Sequence, residues 1–308
     1  MRYLLLILAL LAMPVVAHAD ETSGKLDVQP RIAIISAFEP EWITLNAAIV
    51  DRREWTVNGV KFVGGTISGR PVLLFLSGVS MVNAAMTTQL ALDKFQIRSI
   101  VFSGVAGGLD PALDVGDVVV PDRWGQYLES AFARAEGNGF APPSRRAAGE
   151  DFANYGMIFP NGVRVRRTGD EQGATRRFWF EVDPGLLATA RKMAPQVTLA
   201  KCSGQLCFRA TPKVVVGGNG ISGPVFMDNA EFRKYAFATF QAQVTDMETA
   251  AVGQVAYANG VPYIAFRSLS DLAGGDPGEN QAPAFYRIAA DNSARVVVAF
   301  IGVLEMPR

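Results

Sequence analysis

Carboxylates spaced for acid and base chemistry recur at the ends of apolar runs in this sequence. Together with one glycine-rich segment, they form four clusters: Glu39 with Glu41, SGVAGGLD (103–110), Asp246 with Glu248, and Ser270 with Asp271. The glycines allow the backbone to approach a ligand closely. Carboxylates brought together in this way predict acid and base catalysis on a small polar molecule.

The sequence has 308 residues and a single histidine, His18. That histidine lies in an N-terminal segment with a basic start, an apolar stretch (3–16) and the small-residue cleavage pattern Ala17-His18-Ala19. These features predict a signal peptide over residues 1–19 and a periplasmic or secreted protein. A membrane anchor is disfavoured because the stretch is shorter than the roughly 20 residues that span a bilayer.

Loss of His18 with the signal peptide would leave a protein without imidazole. That excludes a Ser-His-Asp triad, a Cys-His pair and any histidine-ligated metal site. Carboxylates must then perform the proton transfers, and we expect no metal and no cofactor. Cys202 and Cys207 lie five residues apart. In an oxidising compartment they are expected to form a disulfide, with two free thiols as the alternative.

The balance of charged residues limits the kinds of partner that the protein can bind. There are 29 basic and 29 acidic residues, and 49% of the chain is hydrophobic. A nucleic-acid binder, a polybasic membrane-surface protein or a disordered tail would need a charge excess or an apolar deficit. We therefore expect a small-molecule partner, no nucleic acid, and no membrane association after signal cleavage.

Apolar runs alternate with segments of helical period, and this alternation predicts an α/β fold. Strands are predicted at 31–38, 71–78, 98–108, 116–122, 213–218, 243–248 and 262–271. Helices are predicted at 39–50, 81–95, 184–194, 228–240, 247–259 and 282–304. The expected architecture is a three-layer sandwich around a central mixed, largely parallel sheet, in a single domain over 20–308. Ligands of such sheets bind at the carboxyl ends of the strands, where the four clusters lie.

Residues 123–183 interrupt this alternation. They are rich in Arg, Gly, Pro and aromatic residues and contain the basic clusters RVRR (164–167) and TRRFWF (175–180). A stretch of this length without clear periodicity is typical of an elaborated insertion or a lid. Because acidic residues are interspersed, a solvated insertion is favoured over a nucleic-acid surface.

Each carboxylate also has a purely structural explanation. Glu39 and Glu41 could complement a helix dipole, and Asp271 could cap a turn. Glu248 could be paired with Arg267. Only the joint occurrence of the clusters, in their particular order, favours a catalytic site.

Three segments together resemble a known family. ISAFEPEW (35–42), FSGVAGGLDPALDVGDVVV (102–120) and TDMETAAVGQVAYANGVPYIAFRSLSD (245–271) are similar to the nucleoside phosphorylase and nucleosidase superfamily. The resemblance is nearest to the methylthioadenosine/S-adenosylhomocysteine nucleosidases and covers 31–121 and 213–304. VFMDNAEFRKYAF (225–237) and the insertion look more like a secreted branch that includes plant bark storage proteins.

This resemblance implies a role for each matching residue. Glu41 would activate the attacking water, Asp271 would protonate purine N7, Glu248 would bind the ribose hydroxyls, and Met247 would pack against the sugar. Further positions that it implies are Ala106 and Gly107 as backbone lining, Ser270 beside the acid, and Ile221 or Phe226 stacked on the base. It also implies a homodimer.

The resemblance leaves the nucleophile to be decided between water and phosphate. Similar phosphorylases hold phosphate with arginines at two places, which here are occupied by 36–39 and 102–105, without any basic residue. Phenylalanine cannot neutralise a dianion and glutamate repels it, so hydrolysis of purine nucleosides, with adenine preferred, is predicted. The alternatives are a phosphate-dependent phosphorylase and a non-catalytic secreted nucleoside-binding or storage protein. The retention of Glu41, Glu248 and Asp271 argues against the storage protein.

One motif suggests a different class of protein. G-x-G-x-x-G occurs at 218–223, and Asp246 follows at a distance suited to a ribose carboxylate. Pro224 and a further stretch separate these glycines from the next predicted helix, whereas pyrophosphate binding needs the helix to begin there. Dinucleotide binding is therefore disfavoured.

Overall fold

The protein is described by a computed structural model over residues 24–141, 152–171 and 173–305. The predicted signal peptide, residues 1–19, lies outside the described residues. The helices are α1 (Glu39–Ala47), α2 (Met81–Lys94), α3 (Pro184–Met193), α4 (Ala230–Phe240), α5 (Thr249–Asn259) and α6 (Ala282–Val303). The strands are β1 (Asp27–Ser36), β2 (Val50–Val57), β3 (Val60–Ile67), β4 (Arg70–Leu76), β5 (Phe95–Gly108), β6 (Val118–Val120), β7 (Arg123–Gln126), β8 (Ser130–Phe132), β9 (Ala135–Glu136), β10 (Gly139–Phe140), β11 (Ile158–Pro160), β12 (Val163–Val165), β13 (Thr175–Arg177), β14 (Trp179–Glu181), β15 (Cys202–Ser203), β16 (Leu206–Cys207), β17 (Val214–Val216), β18 (Asn219–Ser222), β19 (Ala242–Asp246) and β20 (Tyr263–Asp271).

Twelve of these strands form one mixed sheet in the order β14-β7-β18-β19-β5-β1-β4-β3-β2, with β20 paired to β5 and β6, and β17 paired to β6. At its centre β1 is parallel to both β4 and β5, and β5 is parallel to β20. Helices α1 and α3 pack against α6, and α2 packs against α5. The predicted α/β sandwich with a mixed central sheet is confirmed.

The central strands form because their apolar runs can be buried on both faces. Residues 31–36 of β1 and every residue of β20 are buried. Ile34 of β1 pairs with Leu74 on one side and with Val101 on the other. Burial on both faces is typical of parallel strands that helices cover.

The helices occur where the sequence pattern predicts them, and their ends differ by at most three residues. The side chain of Asn229 caps α4 by accepting a hydrogen bond from the backbone N–H of Phe232 at 2.8 Å. Gly260 ends α5 in the left-handed conformation, with φ 67°, which glycine adopts without steric cost. Among the described residues, no helix has the length and apolar character needed to cross a membrane.

The segment 123–183 begins and ends within the main sheet. Its first strand, β7, pairs antiparallel with its last, β14. Between them, the described residues form small antiparallel pairs: β8 with β11, β9 with β10, and β12 with β13. That this segment is an insertion into a single domain stays a prediction.

The predicted disulfide is present. Cys202 and Cys207 are bonded across the β15–β16 hairpin. Phe208, directly after it, is buried and stacks on Phe285 with ring centroids 5.2 Å apart. The bond therefore closes a small exposed loop beside a buried aromatic contact.

Removing this disulfide should lower the free energy of unfolding. For a loop this short, the chain-entropy relation gives about 2 kcal/mol. The Cys202→Ser/Cys207→Ser variant should therefore unfold at lower denaturant concentration than the wild type. Dithiothreitol should lower the midpoint of the wild type to that of the variant and leave the variant unchanged. Equal midpoints without reductant would contradict a stabilising role.

Candidate active site

A cavity of about 220 Å³ lies where β1, β5, β19 and β20 end. The ends converge because β1, β5 and β20 run parallel, and because Thr245 of β19 pairs with Gly107 of β5. The lining residues are Ala37, Phe38, Glu41, Val79, Val105, Ala106, Gly107, Val225, Phe226, Met227, Thr245, Asp246, Met247, Glu248, Ser270, Asp271 and Tyr286. The structure thus brings residues of all four sequence clusters to one cavity.

Glu41 is buried in the first turn of α1, directly after β1. Its Oε2 accepts a hydrogen bond from the backbone N–H of Ala37 at 2.6 Å, and its Oε1 accepts one from Val105 at 2.7 Å. Burial raises the pKa of Glu41, although Arg267 and these two N–H groups act in the opposite direction. The carboxylate is therefore fixed in place and has a stronger affinity for a proton than an exposed glutamate.

Gly104 makes this arrangement possible. A Cβ at this position would lie 2.2 Å from Nη1 of Arg267 and 2.4 Å from Oε1 of Glu41. A side chain at position 104 would displace Arg267 or Glu41, so this glycine allows β5 to pack closely against the carboxylate.

Arg267 is fully buried among three carboxylates. Its guanidinium nitrogens lie 2.7 Å from Asp246, 3.5 Å from Glu248 and 3.8 Å from Glu41. Its Nη2 also donates to Oγ1 of Thr249 at 2.8 Å. One cation cannot neutralise three anions, and the cluster is predisposed to hold a proton. The sequence-based pairing of Glu248 with Arg267 is present within this larger cluster.

Glu248 precedes the first residue of α5 and reaches across to α2. Its Oε1 accepts a hydrogen bond from the backbone N–H of Ser80 at 2.8 Å. Burial raises its pKa to about 8, against the lowering effect of Arg267 and with a further rise from Asp246. Glu248 can therefore accept hydrogen bonds from hydroxyl groups of a ligand when it is ionised, and donate one when its carboxyl group is protonated.

Asp271 ends β20 and is held by its immediate neighbours. Its Oδ1 accepts from the backbone N–H of Ala273 at 2.8 Å, and its Oδ2 accepts from Oγ of Ser270 at 2.9 Å. Burial is the main cause that raises its pKa to about 6, and the negative charge of Asp276 adds to it. An aspartate with this pKa remains partly protonated near neutral pH, as a proton donor requires.

The remaining predicted residues divide into two groups. Met247, Ala106, Gly107 and Ser270 line the cavity, and so does Phe226, whose side chain is half exposed. Ile221 does not: it is fully buried in the core cluster around Leu109, Tyr127 and Phe240. The suggestion that Ile221 stacks on a base is therefore corrected, because its strand, β18, turns this side chain into the core.

Sequence reasoning missed several lining residues. Tyr286 lies on α6 and packs edge-on against Phe38, with ring centroids 5.6 Å apart. Burial raises the pKa of Tyr286, and the charges of Asp271 and Glu41 raise it further. No local motif marks this residue, since only the packing of α6 against α1 and β20 brings it to the cavity.

The glycine motif at 218–223 does not form a dinucleotide-binding turn. Residues 219–222 are a strand, β18, and the next helix begins only at Ala230. A Cβ at Gly220 would lie 2.6 Å from the ring of Trp124, so this glycine permits packing between β18 and β7. The glycine motif therefore lacks the helix N-terminus that pyrophosphate binding needs.

The fold and the cavity define an α/β protein with an acidic small-molecule site at the carboxyl ends of its central strands. The chain belongs to the Phosphorylase superfamily, which matches residues 31–302.

Several proteins similar to this chain are nucleosidases. The chain is 31% identical over 245 residues to the 5'-methylthioadenosine/S-adenosylhomocysteine nucleosidase of Anoxybacillus flavithermus, covering 79% of this chain and 86% of that protein. It is 27% identical over 275 residues to the protein of the same name in Mycobacterium bovis, covering 89% and 97%. A solved nucleosidase of this name from Colwellia psychrerythraea, in complex with adenine, gives a TM-score of 0.64 at 26% identity and covers 88% of this chain and 94% of that one. The predicted resemblance to these nucleosidases is confirmed, whereas the resemblance to bark storage proteins stays a prediction.

Proposed function

We propose that this protein hydrolyses the N-glycosidic bond of purine nucleosides, with adenine as the base and methylthioadenosine, S-adenosylhomocysteine or adenosine as the candidate substrates. The observation that supports this proposal most directly is that Glu41 and Asp271 line the same cavity. The names of the relatives support the substrate class.

The active site must stabilise charges of opposite sign at the two ends of the breaking glycosidic bond. As the bond breaks, positive charge develops on the ribose and negative charge on the departing base. Asp271, with a pKa raised to about 6, donates a proton to N7 of the base and accepts from its exocyclic amino group. That pair of hydrogen bonds favours adenine over 6-oxopurines.

The sugar side of the site is acidic. Glu41 accepts a proton from the attacking water, and its raised pKa brings it closer to the working pH of a general base. Glu248 binds the ribose hydroxyls and Met247 packs against the sugar. Phe226 is the aromatic lining residue that we assign to stacking on the base.

Water is favoured over phosphate as nucleophile by the charge of the cavity. Four carboxylates and no lysine or arginine are among its described lining residues. The nearest guanidinium, that of Arg267, is fully buried and already shared by Glu41, Asp246 and Glu248. The described part of the chain therefore offers no free cation there to neutralise a phosphate dianion.

We therefore expect adenine release from adenosine or methylthioadenosine at the same rate with and without inorganic phosphate. Release is measured by chromatography of the base, and the sugar product identifies the nucleophile, as free sugar or as sugar 1-phosphate. Inosine serves as the matched 6-oxopurine control and should react more slowly. A strict phosphate requirement would replace the hydrolase with a phosphorylase. Binding without turnover across these nucleosides would favour the storage protein.

We further propose a homodimer. At the start of α2, Val82 is 77% exposed and Met86 is 63% exposed, and Val79, just before the helix, also lines the cavity. A second copy placed on this apolar face would cover it and close one side of the site.

Val82→Asp should convert a dimer to a monomer in sedimentation analysis. The same change at Val303, half-exposed at the end of α6, should not. A monomeric wild type would disprove the homodimer.

Export is proposed from the N-terminal sequence alone. Cleavage after Ala19 predicts that protein recovered from the periplasm or medium begins at Asp20. N-terminal sequencing of the exported protein tests this, and an intact N-terminus on cytoplasmic protein would contradict it.

A further inference from the structure

A second cavity, of about 850 Å³, lies within the segment 123–183 and beside the C-terminal end of α5. No described residue lines both this cavity and the one that contains Glu41 and Asp271. The two cavities lie at opposite ends of α5. Tyr257, near the last residue of this helix, lines the second cavity, whereas Glu248, just before its first residue, lines the cavity that contains Glu41 and Asp271. Its volume lies in the range typical of small-molecule sites. We call it the arginine cavity because Arg123, Arg167, Arg176 and Arg177 line it.

Aromatic rings hold three of these arginines in place. The guanidinium carbon of Arg177 lies 4.3 Å from the ring centroid of Tyr257, and that of Arg167 lies 5.6 Å from the same ring. Arg123 lies 4.5 Å from the ring of Trp179. Such contacts reduce side-chain freedom while leaving the N–H groups of the guanidinium available to a ligand.

The charges of these arginines are not neutralised by the part of the chain that the structure describes. None of the four forms a salt bridge with a described carboxylate. Arg123 donates to the neutral Oδ1 of Asn219, and Arg176 donates to the amide oxygen of Asn161 and the carbonyl of Gly162. Buried polar groups are normally hydrogen-bonded, yet Nε of Arg177 is buried and has no hydrogen-bond partner among the described residues.

The small hairpin of β12 and β13 places two positive charges side by side next to the arginine cavity. Arg176 of β13 stands directly opposite Arg164 of β12, and like charges in this position destabilise a sheet. Three carboxylates also line the cavity, those of Asp170, Glu171 and Glu181, and all three residues are exposed. These carboxylates form no ion pairs with the described arginines of the cavity, so the repulsion between the arginines remains. An anion bound from solution would reduce this repulsion and stabilise the hairpin.

We propose that the arginine cavity binds a small molecule that carries a phosphate or pyrophosphate group. The forked guanidinium groups of Arg176 and Arg177 match the oxygens of such a group and can bind it in a bidentate manner. Arg123 faces the same cavity from β7. A ligand with two or more negative charges is favoured, because its several oxygens can accept from more than one arginine at once. This site is separate from catalysis, and phosphate bound in it is not the nucleophile.

Calorimetry with inorganic pyrophosphate, at low salt and without nucleoside, tests this proposal independently of any hydrolytic activity. The wild type should bind one equivalent. Arg176→Gln/Arg177→Gln should weaken binding by about tenfold or more, since each charged hydrogen bond contributes more than a neutral one. The matched control is Arg164→Gln/Arg166→Gln, which removes the same charge from the same hairpin outside the cavity lining. It relieves the Arg164–Arg176 repulsion but leaves the lining guanidinium groups in place, so the affinity should fall by no more than about threefold.

A second measurement does not depend on the folding of variants. Pyrophosphate should protect Arg176 and Arg177 of the wild type from phenylglyoxal, as mapped by mass spectrometry, and leave Arg164 reactive. Three results would overturn the proposal: no binding by the wild type, equal loss in both double variants, or protection of all hairpin arginines alike. Binding of single-stranded nucleic acid but not of pyrophosphate would also overturn it, because a surface for a long polyanion would then be indicated.

Discussion

Replacing Asp271 with asparagine is expected to lower the rate of adenine release by about 10²- to 10⁴-fold, the usual contribution of a general acid. An amide has the shape of the carboxyl group but cannot transfer a proton to the departing base. The fold should be preserved, because the amide oxygen can still accept from Ala273 and the amide N–H can donate to the hydroxyl of Ser270. Initial rates on adenosine and methylthioadenosine, together with thermal unfolding midpoints, measure both effects.

The pH dependence of the wild type gives an independent check on this assignment. Burial raises the pKa of Asp271 to about 6, and the proposed acid must be protonated to act. The contribution of this group to kcat/KM is therefore full at low pH and is lost as the pH rises through about 6. The residual activity of Asp271→Asn should show no decline in this window.

Asp276→Asn is the matched control for Asp271→Asn. Asp276 is close in sequence, does not line the cavity, and its Oδ2 accepts from the backbone N–H of Leu272 at 3.0 Å. Because its charge helps to raise the pKa of Asp271, this variant should keep the maximal rate and decline at slightly lower pH. Equal losses in both variants, or full activity of Asp271→Asn, would remove Asp271 as the acid.

The site could be predicted from the sequence to the extent that it lies at strand ends. Asp271 ends β20, and Glu41 lies in the first turn of the helix that follows β1, so topology alone places them at one edge of the sheet. Tyr286 could not be found in this way, because it belongs to the long helix α6 and reaches the cavity through packing. Ile221 shows the converse: its position in the sequence suited a base-stacking residue, but the period-2 alternation of β18 turns it into the core.

The fold was predictable where periodicity was strong. The apolar runs of β1, β5 and β20 and the helical segments were identified by pattern, whereas β2 and β3 were not. β2 carries a run of charged residues and is mostly exposed at the edge of the sheet. Such an edge strand gains its structure from pairing with β3 rather than from burial, and no apolar alternation marks it. The strands within 123–183 are two to four residues long, which is too short for an alternating pattern to be recognised.

Replacing Glu41 with glutamine should also reduce turnover by about 10²- to 10⁴-fold, because glutamine cannot accept a proton from the attacking water. This change has a structural cost that Asp271→Asn avoids. Both oxygens of Glu41 accept backbone N–H groups, from Ala37 and Val105, and an amide can accept only one of them. The unfolding free energy should fall by about 1–3 kcal/mol, so rates must be measured well below the unfolding midpoint.

The matched control is Glu39→Gln, in the same helical turn but exposed and outside the cavity lining, and it should retain both activity and stability. Adenine binding separates two roles for Glu41. If Glu41 activates water, Glu41→Gln should bind adenine with wild-type affinity while kcat falls. If Glu41 acts only by holding Arg267, which lies 3.8 Å away, its loss should disturb Glu248 and raise KM for the nucleoside with little change in kcat. A rise in KM without a fall in kcat would therefore exclude Glu41 as the base and leave it as a positioning residue.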